Sequence, residues 1–255
     1  MKRRIIVPEN PMFARLIANI KTIQEKFDID IYSVEESQVE KLMFSNRADV
    51  ALTTPITYGR GMDRGDFRIV PTRCFVADGY AGIASIYFNQ GLKSIGRIGT
   101  PDPDGYIALV SDVLLKERYD IHAKFGKISG DAEDALAQFD AAVVPGTSLH
   151  EEHALDLSEE WAAAYEMPLP VGIWVCRNEE APSNTVEIVE ALAEDNLPAR
   201  EKTGEKTSEE YLDREGSRIF RMNEEIEKSI DFVLQMFYYH QYLPEIPAVK
   251  LLGRD

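Results

Sequence analysis

Apolar and polar residues follow two rhythms along the first 60 positions. Arg3-Arg4-Ile5-Ile6-Val7 contains a short continuous apolar run, the pattern of a strand buried on both faces. Beyond Pro8-Glu9-Asn10-Pro11, residues Phe13, Leu16, Ile17, Ile20 and Ile23 recur three and four apart, which predicts one amphipathic helix from Met12 to Phe27. Asn10 falls at its N-cap and Pro11 in its first turn, where the missing N–H of proline costs nothing. Ile29 to Tyr32 alternates as a strand. Ser33-Val34-Glu35-Glu36 has capping-box spacing ahead of a helix through Val39, Leu42, Met43 and Phe44. Val50-Ala51-Leu52 is a third strand ending at Thr53-Thr54-Pro55, and Ile56 to Tyr58 opens a short helix that Gly59 to Gly61 stops. The order βαβαβα implies parallel strands joined by right-handed crossovers. Asn10 and Thr53-Thr54 both follow the carboxyl ends of such strands, hence one rim of the sheet, where open α/β sheets bind ligands against helix N-termini.

The same logic returns in the middle of the chain. Strands are predicted at 67–70 and 74–76 on either side of Pro71, at 83–88 and at 97–100. A helix follows with Ile107, Val110, Val113, Leu114 and Tyr119 on its inner stripe, then a strand at 124–128, a helix at 131–139 and a strand at 141–144. A second polar rim forms from Thr100, Asp102, Gly146, Thr147 and Ser148. Val171 to Val175 is a strand that carries the chain back. From Asn178 onward the pattern is helical and charged: a helix at 183–193, a polar connection at 198–206, a helix at 208–215, and a last one from Asn223 to Tyr242. That last helix turns Ile226, Ile230, Val233, Leu234 and Phe237 inward and ends in a packed aromatic cluster, Tyr238-Tyr239-His240. The pattern points to an α/β protein of two lobes, resembling the type II periplasmic-binding-protein fold. The first lobe is residues 1–83 plus a helical tail, 178–255, and the second is 84–177. The ligand is expected in the cleft between the lobes.

Composition narrows the function. The 255 residues carry 28 Lys and Arg against 44 Asp and Glu, a formal charge of −16, which argues against nucleic acid and anionic membrane surfaces as partners. No run approaches the ~18 apolar residues of a membrane span, and the first strand is too short for a signal-peptide core, so a cytoplasmic location is expected. Cys74 and Cys176 lie in apolar strand-like runs and read as small buried hydrophobes. His150 and His153 stand three apart beside Glu151 and Glu152, but no third ligand accompanies them, and a solvated acidic helix face accounts for the spacing without a metal. No Gly-rich phosphate loop or nucleophile elbow is present, and no cofactor is expected. What remains is Asn, Thr, Ser and helix starts, a surface suited to a small carboxylated ligand. It serves either a binding protein or an enzyme that works by positioning.

Leu155-Asp156-Leu157-Ser158-Glu159-Glu160-Trp161, followed by Met167-Pro168-Leu169-Pro170-Val171-Gly172-Ile173-Trp174-Val175, is similar to a signature of one family. It is the menaquinone biosynthesis family of the futalosine route, containing chorismate dehydratase and 1,4-dihydroxy-6-naphthoate synthase, where glycine stands in place of Ser158. Ala48 to Leu52, Phe67 to Pro71, Asp78-Gly79, Leu114 to Tyr119 and Tyr242 to Pro247 resemble further family segments, so the resemblance runs through nearly the whole chain. For the dehydratase it implies loss of water from chorismate to give 3-enolpyruvyloxybenzoate, driven by completion of an aromatic ring and assisted by neither metal nor cofactor. Asn10 matches the family asparagine after the first strand, and Ser85 the serine of the crossing strand; these are the implied catalytic pair. Thr53, Thr54, Thr100, Tyr106, Gly146 and Thr147 are the candidate substrate-binding residues on the two rims. Asp102-Pro103-Asp104-Gly105-Tyr106 replaces a Ser/Thr-rich family stretch, and Ala84 stands where the dehydratase often has arginine. Two alternatives stay open: the naphthoate-forming enzyme, and a non-catalytic cytoplasmic binding protein for a small carboxylated ligand. A homodimer is compatible with all three.

Overall fold

Strand β1 (Arg3–Pro8) pairs in parallel with β2 (Ile29–Val34) on one side and β3 (Val50–Thr53) on the other. Ile5, Ile6 and Val7 are all buried, as a two-faced strand requires. These are the opening strands of a computed structural model that describes residues 2–146, 154–179, 181, 184–205 and 213–254. The chain forms two compact units. One is Met1–Val76, Pro170–Glu201 and Ile219–Asp255; the other is Ala77–Leu169 and Lys202–Arg218.

Among the described residues the strands form two sheets. The larger adds β4 (Phe67–Gly79), β10 (Leu169–Arg177), β11 (Arg200–Glu205) and β12 (Arg214–Arg221) to the first three, in the order β11-β12-β4-β10-β3-β1-β2. The smaller contains β5 (Ala84–Phe88), β6 (Arg97–Thr100), β7 (Lys124–Lys127), β8 (Ala141–Pro145) and β9 (Ala154–Asp156), in the order β7-β6-β8-β5-β9. Helices α1 (Ile20–Phe27), α2 (Glu36–Phe44), α3 (Pro55–Arg60), α7 (Thr185–Leu192) and α8 (Glu224–Tyr239) belong to the first unit. Helices α4 (Tyr106–Tyr119), α5 (Ala132–Leu136) and α6 (Leu157–Tyr165) belong to the second. The α/β class expected from the pattern is the class observed.

In the first unit, α8 turns Ile226, Ile230, Val233, Leu234 and Phe237 into the core, each fully buried. At about 1.5–3 kcal/mol per large apolar side chain, this stripe is a major source of the unit's stability. Phe13 packs against β10 at Gly172, where any Cβ would collide with its ring. Glu190 of α7 accepts from Thr72 and Arg73 of β4 and pairs with Arg221 of β12. Residues 248–252 are tied down as well. Ile69 N donates to Lys250 O (2.8 Å) and Leu252 N to Ile69 O (2.8 Å), a parallel bridge onto β4. The wholly buried Tyr58 hydroxyl accepts from Lys250 N and donates to Ala248 O, both at 2.9 Å. Burial pushes that phenol up to about 12.

Several expectations are corrected. The helix predicted over 12–27 is two pieces, a 3-10 helix at Pro11–Leu16 and then α1, because Asn19 breaks the run: its amide donates to the carbonyls of Ala191 and Ala193 on a distant segment. The capping box does not form. Ser33 stays in β2 opposite Val7, and Glu35 is the N-cap of α2 without a side-chain bond. The two strands predicted around Pro71 are one strand of 13 residues. The chain after Asn178 is not uniformly helical, since β11 occupies the expected connection and Arg214 and Glu215 are strand; Ser208 to Leu212 lie outside the described residues. Helix α4 is buried almost all round, with Ser111 and Asp112 inside and Tyr119 outside. The packed aromatic end of α8 is Phe237, whose ring meets that of Tyr242, since Tyr238 and Tyr239 are exposed.

Candidate functional site

The carboxyl ends of β1, β2 and β3 form the polar rim of the first unit. Pro8 stands opposite Val34, and Glu9 N donates to Val34 O (2.7 Å), so Asn10 emerges beside the start of α2. Its side chain is used twice. Oδ1 accepts from Met12 N (3.0 Å), which caps the 3-10 helix, and Nδ2 donates to Glu36 Oε2 (3.0 Å). Glu36 is a neighbour that the sequence pattern assigned to capping its own helix. Thr53 ends β3 opposite Ile173 of β10, and Thr54 precedes α3; both are buried. Thr54 Oγ1 lies 3.4 Å from Thr57 Oγ1, which adds a third threonine to the rim.

The second unit gathers its own rim from β5, β6 and β8. Ser85, second in β5, lies opposite Val144 of β8 on one side and Asp156 of β9 on the other. Its Oγ donates to Gly146 O (3.0 Å) just beyond β8. Gly146 holds that carbonyl in place with φ +101°, a conformation that favours glycine, and its N donates to Ile83 O (2.9 Å). Ser85 and Gly146 are therefore brought together. Thr147, Ser148, His150 and His153 lie outside the described residues. Thr100 ends β6, buried, beside β8 in a parallel register. Tyr106 is the first residue of α4 and is also buried, which pushes its phenol well above the usual range and keeps it a proton donor.

The acidic stretch before α4 has a local explanation. Asp102 folds back: Oδ1 accepts from Asp104 N (3.3 Å), and Oδ2 would lie 2.7 Å from a Cβ at position 105. The Asp-x-x-Gly spacing is thus a turn that delivers the chain into α4. Gly105 is the N-cap and makes no side-chain bond, and the first turn of α4 carries no acidic residue. The positive end of a 14-residue helix starts at this rim, an arrangement that favours a carboxylate.

Other titratable groups stand apart. Cys74 and Cys176 are buried free thiols, pushed up to about 12 by burial. His122 pairs with Asp120 on the surface, and His240 ends α8. Among the described residues no three His, Cys, Asp or Glu converge on a metal position, and no helix is long and apolar enough to cross a membrane.

A family model described as menaquinone biosynthesis matches residues 7–236. No curated protein sequence matches the chain. Among solved structures, protein AF1704 from Archaeoglobus fulgidus is similar with a TM-score of 0.60 and 13% identity, over 95% of this chain and 98% of that one. An ABC transporter protein from Parabacteroides distasonis gives 0.58 and 10%, over 100% and 99%. The periplasmic aliphatic sulphonate binding protein of Escherichia coli gives 0.50 and 11%, over 100% and 94%. The fold is that of the periplasmic binding proteins.

Proposed function

The chain belongs to the menaquinone biosynthesis family, and from that premise we propose that it is a carbon–oxygen lyase that eliminates water from chorismate to give 3-enolpyruvyloxybenzoate. The observation that carries the reading is the family match over residues 7–236. Each rim supports it by itself, the first with neutral amide and hydroxyl donors and the second with hydroxyls and the uncapped start of α4, groups suited to a carboxylate. The reaction breaks a ring C–H bond and the adjacent C–OH bond; the proton and the hydroxyl leave as water, and the ring becomes aromatic. The protein has to hold the carboxylates, accept the ring proton and ease the departure of hydroxide.

In this reading Asn10 and Glu36 act as a unit: the Asn10 amide holds the Glu36 carboxylate, which accepts the ring proton. Glu36 is exposed, so its repulsion of a ligand carboxylate about 4 Å away costs only about 1 kcal/mol in water-like surroundings. In the second unit Ser85, Tyr106 and Thr100 offer hydroxyl groups, and in the first unit Thr53 and Thr54 do so. The test is incubation of purified protein with chorismate while the aromatic product is followed. Asn10→Ala, Glu36→Gln and Ser85→Ala are each expected to lower kcat/KM about 100-fold. Wild-type protein indistinguishable from a blank would sink the dehydratase reading.

One observation favours a second reading, a non-catalytic binding protein. Both ends of the Asn10 amide are already engaged, by Met12 and Glu36. In that case chorismate or another carboxylated ring raises Tm without being consumed, and Asn10→Ala leaves the shift intact.

A further inference from the structure

The stretch Gly79–Gly82 joins β4 to β5, and four other segments of the second unit claim its backbone groups one by one. Tyr80 N donates to Glu215 O (3.0 Å), and Tyr80 O accepts from Thr203 Oγ1 (2.5 Å). Ala81 N donates to Ser158 Oγ (3.2 Å), and Ala81 O accepts from both Nε and Nη2 of Arg218 (3.1 and 2.9 Å). Gly82 N donates to Asp156 Oδ2 (3.0 Å). Arg214, paired with Glu159, covers the Tyr80 ring at 4.1 Å. Gly79 and Gly82 take φ +63° and +67°, and at Gly216 any Cβ would collide with the Tyr80 backbone. Connections between strands ordinarily leave such groups to water. This one is held at Tyr80, Ala81 and Gly82 in turn.

Asp156 is the centre of the arrangement. Oδ1 accepts from Ser158 Oγ (2.5 Å) and Glu159 N (2.9 Å), while Oδ2 holds Gly82. One carboxylate therefore caps α6, orients the Ser158 hydroxyl toward Ala81 N, and pins the entry to β5. It is only 2% exposed. A buried carboxylate costs several kcal/mol unless donors surround it, and here three do. Asp156 also stands directly opposite Ser85 in the β5–β9 register, and Gly82 precedes Ser85 by three residues.

We propose that Asp156 and Ser158 are positioning residues for Ser85: they fix the 80–82 connection, and through it the place of the Ser85 hydroxyl, without touching substrate. The catalytic half of this proposal rests on the reading in which Ser85 contacts chorismate. The stretch from Asp156 to Trp161 then owes its importance to holding a strand entry rather than to chemistry of its own.

Asp156→Asn separates the roles. Asparagine is as good a cap for α6 as aspartate, but its amide nitrogen faces the Gly82 N–H, donor against donor. Amide hydrogen exchange, followed by NMR on the full chain, is expected to speed up about tenfold or more at Ala81, Gly82 and Ser85, with the α6 amides unchanged. Unchanged protection at Ser85 overturns the proposal. If Asp156→Asn does not fold, Ser158→Ala removes the Ala81 strut and one of the three donors to Asp156 while sparing the Gly82 bond, and is judged at Ala81 and Ser85 in the same way. With chorismate, Asp156→Asn is expected to lower kcat about tenfold at constant KM and to add nothing in the Ser85→Ala background. Additive losses overturn the positioning role. A wild-type protein inert toward chorismate sinks the proposed activity instead, and the exchange measurement still decides the structural claim.

Discussion

Glu190 braces the middle of β4 and Asp156 the connection that follows it, and they do so with opposite electrostatics. In the first unit, burial raises the Glu190 carboxyl, but Thr72, Arg73 and Arg221 outweigh it and hold the group below its ordinary range. In the second unit, burial of Asp156 wins over Ser158, Glu159, the more distant Arg214 and Gly82, and the carboxyl is pushed up. Asp156 accepts three hydrogen bonds, yet neutral donors do not restore what two guanidinium groups restore for Glu190. Partner charge and residual solvent, more than the number of bonds, decide the sign.

The largest expected break in this comparison is Gly216→Ala, which sets a methyl against the immovable Tyr80 backbone and should cost about 3 kcal/mol or more in urea unfolding. Asp156→Ala comes next at about 3 kcal/mol, because it strips the α6 cap and leaves buried donors without an acceptor. Glu190→Ala should cost about 1–2 kcal/mol, since Arg221 keeps access to water and Arg73 keeps its bond to Leu197 O. Equal losses at Glu190 and Asp156 would erase the distinction.

The subtlest effect lies in the pH profile of stability. Glu190, with its folded value depressed, contributes stability that is present above its ordinary value of 4.5 and is lost as pH falls through the folded value. Glu190→Gln should flatten that acid limb. Asp156, with its folded value raised, contributes stability that is full below 3.8 and is lost as pH rises through the folded value. The stability of wild type minus Asp156→Asn should therefore decline as pH rises across that window. Unfolding midpoints measured from about pH 3 to 7 carry both signs.

The parallel core around β1 was readable from the chain because its apolar runs and helical spacing are local signals. What escaped reading depends on partners far away. Arg-Glu-Lys-Thr-Gly-Glu at Arg200–Glu205 has no apolar rhythm, and it is a strand because β12 lies beside it. The break before α1 exists because the Asn19 amide reaches carbonyls more than 170 residues away. Pro71 suggested a gap that β4 bridges without interruption. At the candidate site, strand ends located Asn10, Thr53 and Thr100 in advance, since rims follow from topology. The engagement of Asn10 with Glu36, the folding back of Asp102, and the three bonds of Asp156 required side-chain positions that no spacing encodes.

The bridge between Ile69 and Leu251 has a consequence in time. The two residues are 182 positions apart, so at ordinary translation rates of roughly 5–20 residues per second β4 waits about 10–40 s on the ribosome for its last neighbour. Until then the Tyr58 hydroxyl has neither Lys250 N nor Ala248 O. A nascent chain halted near residue 245 therefore lacks the bonds that residues 248–252 make to Tyr58 and Ile69.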